Sequence, residues 1–215
     1  MINNIYKNGA ILSVFALVTT GLIGLTFLGT KGQIDQQRSA RLQATLVQVM
    51  SDEFHDNALV ESCISLTNEA LSAAENVSVY RATKVGEATG FVIESTAPNG
   101  YSGNIHMLVG VLLDGTITGV RILDHKETPG LGDKIDLRIS DWILSFDGKT
   151  VNPDNAALWD VKKNGGQFDQ FTGATITPRA VVKQVELTAL TAVEFSTQWL
   201  DMTTNCQVTQ EMSNE

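Results

Sequence analysis

Residues 8–30 carry no charged side chain, and Lys7 and Lys31 bracket the run. As a helix, these 23 residues extend about 34 Å, against about 30 Å for the hydrocarbon core of a bilayer. Backbone polar groups find no water in that core, so a single segment lying there must satisfy them within itself, as a helix. Ser13, Thr19, Thr20 and Thr26 interrupt the apolar pattern with hydroxyls that can bond back to the helix, and glycine is tolerated in membrane helices. A cleaved signal peptide is the competing reading, but its apolar region is shorter, and no Ala-x-Ala site follows Leu28. The expectation is an uncleaved anchor: residues 1–7 before the membrane, 8–30 across it, and 31–215 as one domain beyond it.

Charge does not orient this anchor. Lys7 and the α-amine stand on one side, Lys31, Arg38 and Arg41 on the other, and large domains translocate largely regardless of charge. The chain has a net charge of −9, and Lys7 is the one charged side chain before residue 31, so residues 31–215 carry −10. Such a surface repels nucleic acid and anionic headgroups. Cys63 and Cys206 lack metal-ligand spacing; they form one disulfide in an oxidising compartment or remain buried thiols in a reducing one.

Past the anchor, Ile34, Leu42, Leu46, Val47 and Met50 mark an amphipathic helix, and residues 58–74 read as further helix with irregular patterning. Strand signals follow at residues 77–83, 88–95, 105–113 and 116–123. Pro98-Asn99-Gly100 marks a turn and Asp114-Gly115 a hairpin. Residues 134–146 look helical, with Asp133 as cap and Ile135, Ile139, Trp142, Ile143 and Phe146 on one face. A weak strand precedes Gln167, and a final helix starts near Pro178 with Val181, Val182, Val185, Leu187, Leu190 and Val193 as its apolar pattern. The expected fold is α+β: a four-strand antiparallel sheet flanked by helices, after one transmembrane helix.

Chemistry concentrates at Asp169-Gln-Phe-Thr172-Gly173-Ala174-Thr175-Ile-Thr177-Pro178. A threonine hydroxyl stands on a Gly-Ala turn just ahead of a helix start. Thr177 suits the N-cap and Pro178 the first helical position. Free N–H groups and the positive end of the helix dipole favour an anion at Thr175; an ordinary capped helix start reads the same way locally.

Asp169, Thr172, Gly173, Ala174 and Thr175 match D-x-x-[ST]-G-A-T at every position, which resembles the flavinylation motif of proteins that carry FMN on the final threonine. D-H-K-E-T-P-G-L-G-D-K-I at residues 124–135, preceded by G-Y-S-G at 100–103, resembles one branch of that family, the G subunit of the Rnf electron-transport complex. The C subunit of the Na+-translocating NADH:quinone reductase is a sister branch and usually longer. The resemblance covers essentially the whole chain. It implies covalent FMN, as a phosphoester on Thr175, installed by a separate flavin transferase that uses FAD and Mg2+. It also implies a single-pass protein of the bacterial inner membrane, N-terminus inside and domain on the periplasmic face, where Cys63 and Cys206 are expected to pair. The partners implied are the other Rnf subunits, and the role is electron transfer within an ion-translocating complex rather than an enzyme acting alone.

A flavin needs a phosphate position, a flat slot for its ring, and donors near the ring heteroatoms. Thr175 supplies the first. Asp169 reads as a recognition or positioning element for the transferase, with a solvated loop acid as the plain alternative, and the resemblance implies that Thr172, Gly173 and Ala174 are cofactor-binding residues of the motif. Glu127, Thr128, Pro129, Gly130 and Leu131 have the composition of a ring slot, since glycines let backbone approach closely; a connecting loop is the alternative. Tyr101, Trp142 and Phe171 are candidate ring contacts, with Trp142 better read as core. Lys162 and Lys163 either offset phosphate charge or are solvated. His125 and Lys126 receive no catalytic role, since electron transfer by a flavin requires no proton abstraction from a substrate. No P-loop, dinucleotide turn, iron–sulfur cysteine cluster or metal-ligand set stands in the sequence. A second class of function is a non-redox anchored scaffold or assembly module, which composition alone fits equally well.

Overall fold

The computed structural model describes residues 2–73 and 76–206, and of residues 2–5, 35, 38 and 39 the backbone alone. Residue 74, the end of one expected helix, and residues 207–215 of the expected domain lie outside it. The chain divides into two compact units, Met1–Leu42 and Gln43–Glu215. Helix α1 (Ile2–Val49) begins in the first and ends in the second.

Within the first unit, Tyr6–Ile34 has a mean hydropathy of 2.2 and is the one helix among the described residues long and apolar enough to cross a membrane. Hydroxyls along it bond back to the helix. Ser13 donates to the Gly9 carbonyl at 2.9 Å, Thr19 to Phe15 at 2.9 Å and Thr26 to Leu22 at 2.8 Å. Leu12, Phe15, Leu17 and Leu28 are all exposed, so the helix presents an apolar surface. This is the composition of a segment whose solvent is lipid.

The second unit is an antiparallel meander: β1 (Cys63–Leu66), β2 (Val77–Lys84), β3 (Glu87–Gly100), β4 (Gly103–Leu112) and β5 (Ile117–Asp124), in that spatial order. The fold is α+β as expected, with five strands rather than four. The extra strand comes from residues 63–66, expected to be helical. They pair with the free edge of β2, Cys63 opposite Tyr80 and Leu66 opposite Val77. Sheet pairing overrides a weak helical pattern here, because that edge would otherwise leave backbone groups unpaired.

Alternation along β3 and β4 sends Phe91, Ile93 and Ala97 with Ile105, Met107, Val109 and Val111 to one face, where helix α2 (Ile176–Asp201) covers them. The opposite face carries Gly110 beside Gly119. Side chains there would meet Val49 at 2.8 Å, so two glycines make the flat seat for the end of α1. Thr118, the extra residue of a bulge in β5, donates to the Val49 carbonyl at 2.7 Å and fastens that end.

The apolar pattern expected of α2 is partly displaced. Leu187 and Val193 are exposed, whereas Gln184 and Thr188 are buried and hydrogen-bonded to Ser95 at 2.8 Å each. Gln184 also donates to the Ala70 carbonyl at 2.8 Å. At the far end of α2, Arg81 donates to the carbonyls of Leu200 and Met202 at 3.0 and 2.9 Å, a cation on the negative end of the helix dipole. Cys63 and Cys206 form a disulfide with Cα atoms 5.5 Å apart, and Asn205 bonds both backbone groups of Ser65. These contacts close the outer edge of β1.

Three local expectations change. Pro98 and Asn99 lie in a bulge between Ala97 and Gly100, and the reversal moves to Tyr101-Ser102, closed by Gly100 opposite Gly103. Proline is tolerated where the ladder is already broken. Residues 134–146 form two short 3-10 segments, Gly132–Ile135 and Asp141–Phe146, instead of one helix. Asp136 ends the first by accepting the Arg138 N–H at 2.9 Å and its guanidinium, and Ser140 rather than Asp133 caps the second. Ile139 is consequently exposed, while Ile135, Ile143 and Phe146 stay in the core. The weak strand before Gln167 reduces to a bridge between Val161 and Phe168.

The β2–β3 turn holds a strained residue. Val85 has φ +54° and Gly86 φ +80°, the two positive values of a type I′ turn. A β-branched residue in that region costs about 1–2 kcal/mol, and 86% exposure of Val85 gives it little packing in return. Val85→Asn is expected to stabilise the protein by about 1 kcal/mol, since asparagine tolerates this conformation. A higher midpoint of thermal unfolding checks this; an unchanged or lower one refutes it.

Candidate cofactor site

Three segments converge on the start of α2. The first is the attachment motif itself. Phe171 and Ala174 close a tight turn, with the Ala174 N–H donating to the Phe171 carbonyl at 3.1 Å. Gly173 takes the third position with φ +83°, a value that glycine alone adopts freely. Phe171 is buried against Trp142, ring centroids 5.2 Å apart, and the Trp142 indole N–H donates to the Asp169 carbonyl at 2.8 Å. The aromatic pair therefore packs against the motif, outside the lining of the cavity described below. Asp169 is exposed, and Lys162 donates to its carboxylate at 2.6 Å.

Thr175, not Thr177, is the N-cap residue of α2, and its side chain makes no capping hydrogen bond. The residue is exposed and lines a cleft. Pro178 falls at the third helical position instead of the first, where its missing N–H again needs no intrahelical partner. Thr177 is completely buried and donates to Glu127 Oε2 at 2.5 Å.

Glu127 belongs to the second segment, the loop after β5. It is 5% exposed. Its Oε1 accepts the Ser102 N–H at 3.0 Å, which ties in the third segment, the β3–β4 turn. Its own N–H donates to His125 Nδ1 at 3.1 Å, so His125 shapes the loop. The N–H groups of Leu131 and Gly132 both donate to the Thr128 carbonyl at 3.1 Å, curling the loop around Gly130, where φ is +78°. Gly132 is buried, and a side chain there would meet Glu127 Oε2 at 2.8 Å and Thr177 Oγ1 at 2.9 Å. Beyond it, Arg138 hydrogen-bonds Asp136 and holds that carboxyl below its ordinary range.

Between the segments lies a cavity of about 320 Å3, lined by Tyr101, Glu127, Thr128, Leu131 and Gly132 with residues 173–177. That volume is at the low end of the range of about 300–1,000 Å3 for small-molecule sites. The structure thus brings Tyr101, Glu127, Thr128, Leu131, Gly173, Ala174 and Thr175 together across the sheet. Asp169, Thr172, Pro129 and Gly130 lie outside the lining, as do Trp142, Phe171, Lys162 and Lys163. Ile176 and Thr177 join it unexpectedly. The burial of Thr177 has no signal in the local sequence, because its partner is 50 residues away. A larger groove of about 530 Å3 runs along α2 past Arg179 and Lys183, but Ile176 is the one residue it shares with the motif.

These residues fit a flavin mononucleotide. An exposed hydroxyl free of capping duty offers an ester position, the N-terminal end of α2 favours the phosphate charge, and the glycines leave backbone open to a flat ring. The FMN-binding domain family matches residues 100–189, which contain all three segments, and the RnfG N-terminal region matches residues 1–49. The G subunit of the ion-translocating oxidoreductase complex of Pseudoalteromonas atlantica is 56% identical over 187 residues, covering 86% of this chain and 87% of that protein. The corresponding G subunit of Vibrio vulnificus is 50% identical over 206 residues, 96% of this chain and 98% of that one. The chain belongs to the RnfG family, the G subunits of ion-translocating oxidoreductase complexes, with an FMN-binding domain.

Proposed function

We propose that this chain is the covalent-FMN electron-transfer subunit of an ion-translocating redox complex. The carrying observation is Thr175: within a complete attachment motif, the residue is exposed, its side chain is unused for capping, and it lines the cavity. FMN, when bound, supplies one- or two-electron transfer between carriers. Thr175 holds the phosphate, Gly173 and Ala174 keep the approach to it clear, and Leu131 and Tyr101 bound the ring end. Asp169 and Thr172, outside the cavity but exposed beside the turn, face an incoming flavin transferase that uses FAD and Mg2+. Residues 8–30 anchor the chain in the bacterial inner membrane, and residues 31–215 lie on the periplasmic side, where the disulfide is stable. The other members of the complex are its partners. The relatives are named as G subunits of such complexes, which decides against the sister quinone-reductase branch.

Intact mass of the protein, coexpressed with and without a flavin transferase, tests the reading. One FMN adduct dependent on the transferase is expected, and peptide mapping should find it on the Thr175 fragment. A protein that stays at its unmodified mass in both preparations supports the scaffold reading instead.

Ring environment and attachment should separate, because they concern opposite ends of the cofactor. Leu131→Ala is expected to leave the protein flavinylated but to change its visible absorbance or reduction potential. Gly130→Val acts through the backbone: a Cβ there meets nothing within 4 Å, but φ +78° makes any β-branched residue there strained. It should cost about 1–2 kcal/mol and distort the same spectrum. An unaltered spectrum and potential in folded Leu131→Ala would make the loop structural only.

A further inference from the structure

We infer that the Glu127 carboxylate sets the reduction potential of the bound flavin, holding it low by keeping a fixed negative charge at the wall of the ring cavity. The inference rests on the flavin reading proposed above. Glu127 lines the same cavity as Thr175 and is 5% exposed. Both of its oxygens act as acceptors, Oε1 from the Ser102 N–H and Oε2 from the Thr177 hydroxyl. A backbone N–H can only donate, and the Thr177 hydroxyl donates to Oε2, so both oxygens stand where a carboxylate would accept. These partners are a backbone amide and a hydroxyl, neither of them a lysine or arginine. They stabilise the charge without cancelling it.

The surroundings are shaped to this group. A side chain at Gly100 would meet Glu127 Oε1 at 2.8 Å, and one at Gly132 would meet Oε2 at the same distance. Two glycines from different segments therefore give way to one buried charge. Burying a charge costs several kcal/mol, whereas a glutamine or an apolar residue would fill the same space more cheaply if joining the three segments were its whole role. Near a buried unit charge the interaction with added electrons is strong, because the intervening dielectric is low. The sign is fixed: electrons enter the ring less readily beside a negative charge, so the potential falls.

The test is a spectroelectrochemical titration of full-length, flavinylated protein. The midpoint is expected to be lowest in the wild type and highest in Glu127→Gln. Glu127→Asp, which draws the charge back by one methylene, should fall between them. A Cys63→Ser, Cys206→Ser double variant, destabilised at the opposite end of α2, should keep the wild-type potential. Equal potentials in the wild type and Glu127→Gln overturn the inference, as does a potential that simply follows melting temperature across the set. Should the glutamine variant fail to load flavin, the wild type and Glu127→Asp carry the comparison, and equality between them overturns it. Absence of any adduct on the wild type, seen by mass before titration, would instead remove the flavin reading itself.

Discussion

Thr175→Ala is expected to give a folded protein with no covalent flavin at all. In the proposed attachment the hydroxyl oxygen is the one atom through which the phosphoester forms, so its loss is complete rather than graded. Stability should hardly move, within about 0.5 kcal/mol, since an exposed side chain without a hydrogen bond contributes little. Thr177→Ala should do the reverse. It removes a fully buried hydroxyl and leaves Glu127 Oε2 without that donor, at a cost of about 1–3 kcal/mol, yet the adduct on Thr175 should remain. Intact mass and thermal melting, run on both variants after coexpression with the transferase, read the two effects separately. An adduct that survives Thr175→Ala, or that maps to Thr172 or Thr177, defeats the assignment.

Removing the disulfide should be the largest single loss of stability. Cys63 and Cys206 are 143 residues apart, and closing a loop of that length contributes about 5 kcal/mol in the chain-entropy model, less any strain. For a domain of this size each kcal/mol moves the unfolding midpoint by about 2–4 °C, so the Cys63→Ser, Cys206→Ser variant should melt about 10–20 °C lower. Arg81 and Asn205 still hold the end of α2 and the segment after it, so the native state should remain populated at room temperature. Flavinylation should also persist: the 26 residues of α2 separate this clasp from Thr175 by about 39 Å. A drop of less than a few degrees would show that the unfolded chain is already constrained without the bond.

The division between sequence and tertiary structure follows the range of the interactions. Residues 8–30 were legible as a membrane-length helix because hydrophobicity and length are properties of the segment alone. Four strands and the Asp114-Gly115 hairpin were legible because alternation and turn chemistry act over a few residues. The attachment motif stood in the sequence as a contiguous string. Strand β1 did not, because residues 63–66 become a strand only when the edge of β2 is there to pair with. Nor did the N-cap: Thr177 has the right residue type for it, but Glu127 draws its hydroxyl into the interior and leaves the cap position to Thr175. The sequence by itself determined the contiguous D-x-x-[ST]-G-A-T motif at residues 169–175. Tertiary structure alone decided that Thr175 is free and Thr177 is not, because a buried hydrogen bond depends on the partner that the meander and the 124–132 loop bring to the start of α2.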